Sequence, residues 1–135
     1  MPEESFEDQA SLRGIHVFLA VDDPECRDLM KTVLEYAGAL VSVAASGRAT
    51  LAALEAIRPD VLLADLSTEA DNPVALIERV RALPACARLP SVALTSNAAR
   101  DGRARLLKAG FQEHLVKPID PWELCRLIAT LVERA

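Results

Sequence analysis

The sequence has few of the residues that support disulfide, metal or cofactor chemistry. Its three cysteines are odd in number and widely spaced, and no CxxC pair is present, which argues against a disulfide framework and a zinc site. The two histidines are too isolated to form a metal site. Cys26 and Cys125 fall on apolar helical positions, where we expect small buried hydrophobes. Aromatic residues make up only 4% of the chain, so aliphatic side chains must form most of the core.

Long apolar runs are also absent. No stretch approaches the roughly 20 residues of a membrane span, and no signal-peptide pattern opens the chain, so we expect a cytoplasmic protein with no membrane contact. The net charge of −5 and the lack of a helix-turn-helix segment argue against direct nucleic-acid binding. Neither a Walker loop nor a GxGxxG segment is present, which removes the usual nucleotide-binding interpretations.

What the chain does contain is a regular alternation of strand and helix patterns. A length of 135 residues indicates one domain with its own core. Residues 1–13 are acidic and carry little apolar content, so we predict a flexible tail there and a single domain over residues 14–135. Five successive strand-helix units from Ile15 onward predict a parallel sheet with helices on both faces.

Reactive side chains follow four of the predicted strands, at the point where each strand ends. They are Asp22 and Asp23 after the first strand, Asp65 after the third, Thr95 after the fourth and Lys117 after the fifth. In open α/β sheets, ligands bind at the carboxyl edge of the strands. We therefore expect these side chains to converge on one site.

The chemistry of such a cluster is specific. Two carboxylates about 4 Å apart repel by roughly 4 kcal/mol at an effective dielectric of 20, so a group of acids favours a bound cation. Oxygen ligands with an open water shell suit Mg²⁺. An ionised Asp65 beside that cation becomes a nucleophile for a phosphoryl group, whose charge the Lys117 ammonium and the Thr95 hydroxyl help to neutralise. These residues indicate an aspartyl-phosphate site.

Four motifs, in this order and at this spacing, resemble the receiver domain of two-component response regulators. They are Val21-Asp22-Asp23, the strand and its flanks over residues 59–66, Ala93-Leu94-Thr95-Ser96, and Lys117-Pro118. The segment over residues 109–121 is similar to receivers of hybrid histidine kinases. Receivers of this kind also occur as free-standing proteins. The resemblance implies an α/β fold of the flavodoxin-like (CheY-like) type, doubly wound, with five parallel strands in the order 2-1-3-4-5.

The resemblance also implies a function. The domain would accept a phosphoryl group on Asp65 from a sensor histidine kinase or a phosphotransfer protein, with Mg²⁺ as cofactor. It would be a signalling module and not an enzyme, and its fourth helix, fifth strand and fifth helix would shift to contact a downstream protein. Whether it is a free-standing regulator or an excised module, and whether it forms a homodimer, is left open.

The family's site residues map onto this chain individually. Asp65, Thr95 and Lys117 take the catalytic positions, and Thr95 and His114 take the switch positions. The Mg²⁺ ligands map to Asp22, Asp23, Asp65 and the backbone carbonyl of Ser67. The peptide bond between Lys117 and Pro118 is expected to be cis.

Two departures from the family pattern leave alternatives open. Counted back from Arg27, the acidic turn is one residue short, so Asp22 takes the direct-ligand position and Asp23 is either a second ligand or the cap of the first helix. The loop after the phosphoacceptor lacks the family's proline and carries Glu69 and Asp71. These acids either alter phosphoryl transfer and metal affinity or are solvated loop residues.

Three further interpretations remain. His114 is either a switch residue or a half-exposed strand histidine. The basic fourth helix, predicted over residues 98–109, is either a solvated face or a surface for an acidic partner. The chain as a whole is a phosphorylated receiver, a pseudo-receiver that binds partners without phosphorylation, or, least favoured, a haloacid-dehalogenase-type phosphatase. That phosphatase family needs a second acid where this chain has Ser67.

Overall fold

The computed structural model describes residues 11–68, 71–96 and 102–134. Its strands are β1 (His16–Val21), β2 (Leu40–Ala44), β3 (Val61–Asp65), β4 (Ser91–Thr95) and β5 (Glu113–Val116). Its helices are α1 (Pro24–Tyr36), α2 (Gly47–Leu54), α3 (Pro73–Ala82), α4 (Arg103–Ala109) and α5 (Pro121–Arg134), with a 3₁₀ turn at Pro84–Cys86. Within these ranges, no helix has the length and apolar character needed to cross a bilayer.

The five strands form one parallel sheet in the order β2-β1-β3-β4-β5, as predicted. The three inner strands are buried almost completely, whereas β2 and β5 lie at the edges. Strands covered by helices on both faces need apolar residues at every position, which explains the unbroken aliphatic runs in the sequence. The same parallel arrangement brings every strand's carboxyl end to one edge.

The sheet divides the interior into two hydrophobic clusters. Side chains alternate along each strand, so Val17 and Leu19 of β1 face one cluster while Phe18 and Ala20 face the other. Helices α1 and α5 cover the first cluster, and α2, α3 and α4 cover the second. Because Asp65 follows Leu63 by two residues, its side chain leaves β3 on the side of α1 and α5.

The predicted tail is wrong at its carboxyl end. Leu12 is fully buried in the cluster beneath α1, and its N–H donates to Ala37 O at 2.8 Å. A single leucine in an acidic stretch gives no periodic signal, yet it fills the end of the core between α1 and β1. Residues 1–10 of the predicted tail lie outside the described residues.

Side chains from the preceding turns cap four of the described helices. The caps of α1, α2, α3 and α5 accept hydrogen bonds from backbone N–H groups in the first turn; they are Asp23, Ser46, Asn72 and Asp120. Proline follows the cap at the start of α1 and of α3, where its fixed φ suits the helix and its missing N–H costs nothing. The described part of α4 begins at Arg103, so the predicted start near residue 98 lies outside the described residues.

Candidate functional site

The carboxyl edge of the sheet brings four of the predicted site residues to one polar cavity. This cavity has a volume of about 90 Å³ and is lined by Asp65, Thr95 and Lys117. Ser67, whose carbonyl is a predicted ligand, and Ser96 also line it. The convergence follows from topology, since β3, β4 and β5 are neighbours and parallel.

The carboxylate of Asp65 is buried and paired with a cation. It is only 4% exposed, and Lys117 Nζ lies 2.6 Å from its Oδ2. Burial alone lowers the pKa of Lys117, but the hydrogen bond and the negative charge of Asp65 outweigh it, so the pKa is raised. Lys117 is therefore a fixed positive charge at neutral pH, next to the carboxylate.

Lys117 is held from the backbone as well. Its N–H donates to Thr95 O at 2.7 Å, which extends the pairing of β4 and β5 past the end of β5. The Lys117-Pro118 peptide bond is cis, as the sequence predicted.

Asp22 and Ser67 contact each other at the same edge of the sheet. The Asp22 carboxylate accepts a hydrogen bond from Ser67 N at 2.9 Å and from Ser67 Oγ at 3.1 Å. The Asp22 N–H lies 3.3 Å from Asp65 O, so the ends of β1 and β3 stay in register at this edge. These contacts place the Ser67 backbone next to the Asp22 carboxylate.

The expected convergence of three acids is not observed. Asp23 is exposed, and its Oδ1 accepts a hydrogen bond from Glu25 N at 3.3 Å as the cap of α1. Pro24 starts the helix directly after Asp23, as is common after a side chain that caps a helix. Among residues 11–68, 71–96 and 102–134, no three His, Cys, Asp or Glu side chains are grouped to hold a metal.

The remaining donors still fit a small, hard cation. All of them are oxygen donors: the carboxylates of Asp22 and Asp65 and the backbone carbonyl of Ser67. Mg²⁺ sites in proteins usually combine one or two carboxylates with several waters. The donor chemistry therefore agrees with a site of two acids and one carbonyl.

Thr95 and His114 contact each other beneath the cavity. Both are buried, at 5% and 8% exposure, and Thr95 Oγ1 lies 2.6 Å from His114 Nε2. His114 pairs in register with Ala93, so it is the diagonal neighbour of Thr95 on the same face of the sheet. The alternative of a half-exposed strand histidine is wrong, because His114 is buried on the face of the sheet that α4 covers.

Asp71 is not a solvated loop acid. Both of its carboxylate oxygens lie 3.0 Å from the N–H of Gly47, at the start of α2. A side chain at Gly47 would collide with this carboxylate, since a Cβ there would lie 2.5 Å from Asp71 Oδ1. The contact ties the loop after β3 to α2, and Glu69 lies outside the described residues.

Cys26 has a contact that the sequence interpretation missed. It is half-buried, and its Sγ lies 3.4 Å from Asp65 Oδ2, so the prediction of a small buried hydrophobe is wrong for Cys26. Cys125 is fully buried in α5, as predicted. The one available signal was position, because Cys26 lies in the first turn of α1, four residues after Asp22.

Comparison with known proteins gives the family. Residues 17–129 match the family model described as the response regulator receiver domain. The chain belongs to this family. The receiver domain is the signal-receiving module of two-component systems, and the match includes every strand except the first residue of β1.

Two protein relatives illustrate the range of the family. The receiver domain is 39% identical over 118 residues to an uncharacterized 14.6 kDa protein of Leptolyngbya boryana, covering 87% of this chain and 90% of that protein. It is 29% identical over 121 residues to the transcriptional regulatory protein TrcR of Mycobacterium tuberculosis, covering 90% of this chain. The chain spans 46% of that regulator's length.

A solved structure gives the same fold. The receiver domain of a sensor histidine kinase from Pseudomonas aeruginosa superposes with a TM-score of 0.81 at 28% identity, covering 89% of this chain and 98% of that one. In that crystal structure a magnesium ion is coordinated in the active site cleft. The flavodoxin-like, CheY-like fold expected from the sequence is confirmed.

Proposed function

We propose that this receiver domain accepts a phosphoryl group on Asp65 in a Mg²⁺-dependent reaction. One observation supports this most strongly. A buried carboxylate at the end of β3 is paired at 2.6 Å with Lys117, and both line a polar cavity with Thr95. A purely structural ion pair would not need a cavity above it, whereas a phosphoacceptor needs room for the incoming group.

The transfer is a displacement at phosphorus. An oxygen of the Asp65 carboxylate forms a bond to phosphorus while the bond from phosphorus to the donor's histidine nitrogen breaks, and the electron pair leaves with that nitrogen. Lys117 and Thr95 line the cavity where the phosphoryl oxygens would lie. The ammonium and the hydroxyl can therefore stabilise the negative charge on those oxygens.

Asp22, Asp65 and the Ser67 carbonyl would hold the Mg²⁺. When bound, the ion neutralises charge that develops on the phosphoryl oxygens. Asp23 is left out of this proposal because it caps α1. The magnesium ion in the Pseudomonas aeruginosa receiver domain supports the assignment by similarity.

We further propose a sensor histidine kinase or phosphotransfer protein as the donor, and a downstream protein at the α4-β5-α5 face as the receiver of the signal. The contact between Thr95 and His114 supports the second part, because it connects the cavity to β5. A phosphoryl group that attracts the Thr95 hydroxyl must alter this contact. Strand β5 is an edge strand, so a change there reaches the surface directly.

Labelling by a small phosphodonor tests the proposal. Purified protein incubated with radiolabelled acetyl phosphate and Mg²⁺ should take up label, and Asp65→Asn should take up none, because an amide is not a nucleophile here. Chelation of Mg²⁺ should stop labelling of the wild type. Asp60→Asn is the matched control, since Asp60 lies at the opposite end of β3 and accepts a hydrogen bond from His16 N.

The outcomes separate the two interpretations of the chain. Label that depends on Asp65 and Mg²⁺ and survives Asp60→Asn supports the phosphorylated receiver. A wild type that stays unlabelled under these conditions would instead support a pseudo-receiver that binds its partners without phosphorylation.

A further inference from the structure

Cys26 contacts the same carboxylate oxygen that Lys117 contacts. Its Sγ lies 3.4 Å from Asp65 Oδ2, and Lys117 Nζ lies 2.6 Å from that oxygen. The two donors come from different parts of the fold, the first turn of α1 and the end of β5. Two donors thus converge on one oxygen of the phosphoacceptor, and Oδ1 is not part of either contact.

The thiol is in the form that donates. A cysteine thiol has an ordinary pKa of about 8.5 and is therefore mostly protonated at neutral pH, and the geometry makes Cys26 Sγ the donor and Asp65 Oδ2 the acceptor. Met30 Sδ lies 3.7 Å away, but a thioether is a weaker acceptor than a carboxylate. Asp65 Oδ2 is therefore the preferred acceptor of the Cys26 S–H group.

We infer that Cys26 is a positioning residue for phosphoryl transfer, which together with Lys117 holds Oδ2 and leaves Oδ1 to attack phosphorus. This inference rests on the proposed function. The terminal torsion of an aspartate is broad, so a single donor leaves the carboxylate free to rotate about it. A second donor on the same oxygen restricts that rotation, and an oriented nucleophile reacts faster than a mobile one.

Cys26 also separates the carboxylate from an apolar cavity. A cavity of about 210 Å³ lies between α1 and the start of α5, and Cys26 lines it together with Leu29, Val33 and Leu124. Shortening Cys26 to alanine would remove a donor and extend this cavity toward Asp65. A test must therefore distinguish the donor from the packing.

Three variants make this distinction through the rate of labelling by acetyl phosphate. Cys26→Ala should slow labelling by about two- to ten-fold, the equivalent of one lost hydrogen bond. Cys26→Ser keeps a donor, and a hydroxyl is a stronger donor than a thiol, so it should retain most of the rate. Cys86→Ala is the control, because Cys86 is buried in the 3₁₀ turn and lines neither the polar cavity nor the apolar one.

A role in packing alone predicts the opposite order. It would make Cys26→Ser at least as harmful as Cys26→Ala, since serine places a polar group beside apolar residues. Equal rates for Cys26→Ala and wild type, or a serine variant no faster than the alanine variant, would overturn the inference. Thermal melts of all three variants confirm that each is folded at the assay temperature.

Infrared spectroscopy tests the contact without phosphorylation. The S–H stretching band of Cys26 is the one lost in Cys26→Ala, and in Asp65→Asn it should move to higher frequency because an amide oxygen is a weaker acceptor. An unmoved band means no hydrogen bond and overturns the inference. A wild type that takes no label ends the proposed function and this role with it. A labelled wild type with an unchanged Cys26→Ala rate overturns only the role of Cys26.

Discussion

The hydroxyl of Thr95 and the imidazole of His114 form a buried contact of 2.6 Å between β4 and β5. A hydroxyl has one proton to donate. If His114 Nε2 accepts that proton, Thr95 cannot donate it to a phosphoryl oxygen at the same time. If Nε2 carries its own proton and donates to Oγ1, the Thr95 proton is free for the cavity. The direction of this hydrogen bond therefore decides whether the Thr95 hydroxyl can donate into the cavity.

We predict that the His114 ring changes its protonation behaviour on activation. Beryllofluoride, a phosphoryl mimic, should draw the Thr95 hydroxyl proton and favour the ring form that carries hydrogen on Nε2. Ring ¹⁵N and ¹H shifts followed by NMR across about pH 5.5 to 8, with and without the mimic, measure this. His16, which contacts Ser42 between β1 and β2, is the internal control. Identical His114 curves in both states would show that the ring is not a switch.

Replacement of Asp22 should mainly weaken Mg²⁺ binding, whereas replacement of Asp23 should mainly lower the stability of the fold. Asp22→Ala removes a proposed direct ligand and should weaken Mg²⁺ binding by about ten-fold or more, because even residues that only hold a metal's ligands in place typically contribute about ten-fold or more. Asp23→Ala should leave Mg²⁺ affinity nearly intact and cost about 1 kcal/mol of unfolding free energy, as expected for a lost helix cap. Mg²⁺ titration and chemical denaturation of both variants check this. A larger loss of affinity in Asp23→Ala would reverse the two roles.

Asp71 should stabilise the loop after β3. Asp71→Ala leaves the Gly47 N–H without its acceptor at a partly buried position, so we expect a loss of about 1 to 2 kcal/mol of unfolding free energy in urea. Gly47→Ala should also destabilise, although alanine is the better helix former, because its Cβ meets the Asp71 carboxylate. The double variant should lose less unfolding free energy than the sum of the losses in the two single variants. Full additivity would mean that the residues do not interact.

The contact of Lys117 with Asp65 should make stability fall at high pH. The pKa of Lys117 is raised above its ordinary value of 10.5, so its contribution is complete below that pH and is lost as the pH rises through the folded-state pKa. The stability difference between wild type and Lys117→Gln should be constant from neutral pH to about 9.5 and shrink above 10.5. Lys31→Gln, which breaks an exposed pair with Glu35, is the control. A difference that stays constant through the alkaline range would contradict this prediction.

The sequence by itself determined the fold and the main members of the site. Apolar runs of five or six residues alternating with helical patterns require a parallel sheet covered on both faces. Parallel strands end at one edge, so a reactive residue at the end of each strand must lie there. This rule predicts that Asp65, Thr95 and Lys117 lie together, without any knowledge of side-chain contacts. In the structure all three line one cavity.

Only the tertiary structure decided which distant partner each remaining side chain meets. Cys26 and Asp65 are 39 residues apart, and Asp71 and Gly47 are 24 apart. Periodicity records which face of an element is apolar, and it carries no information on how the end of one helix lies against the end of one strand. Leu12 is buried for the same reason, since a lone leucine becomes a core residue only where α1 and β1 leave a space for it.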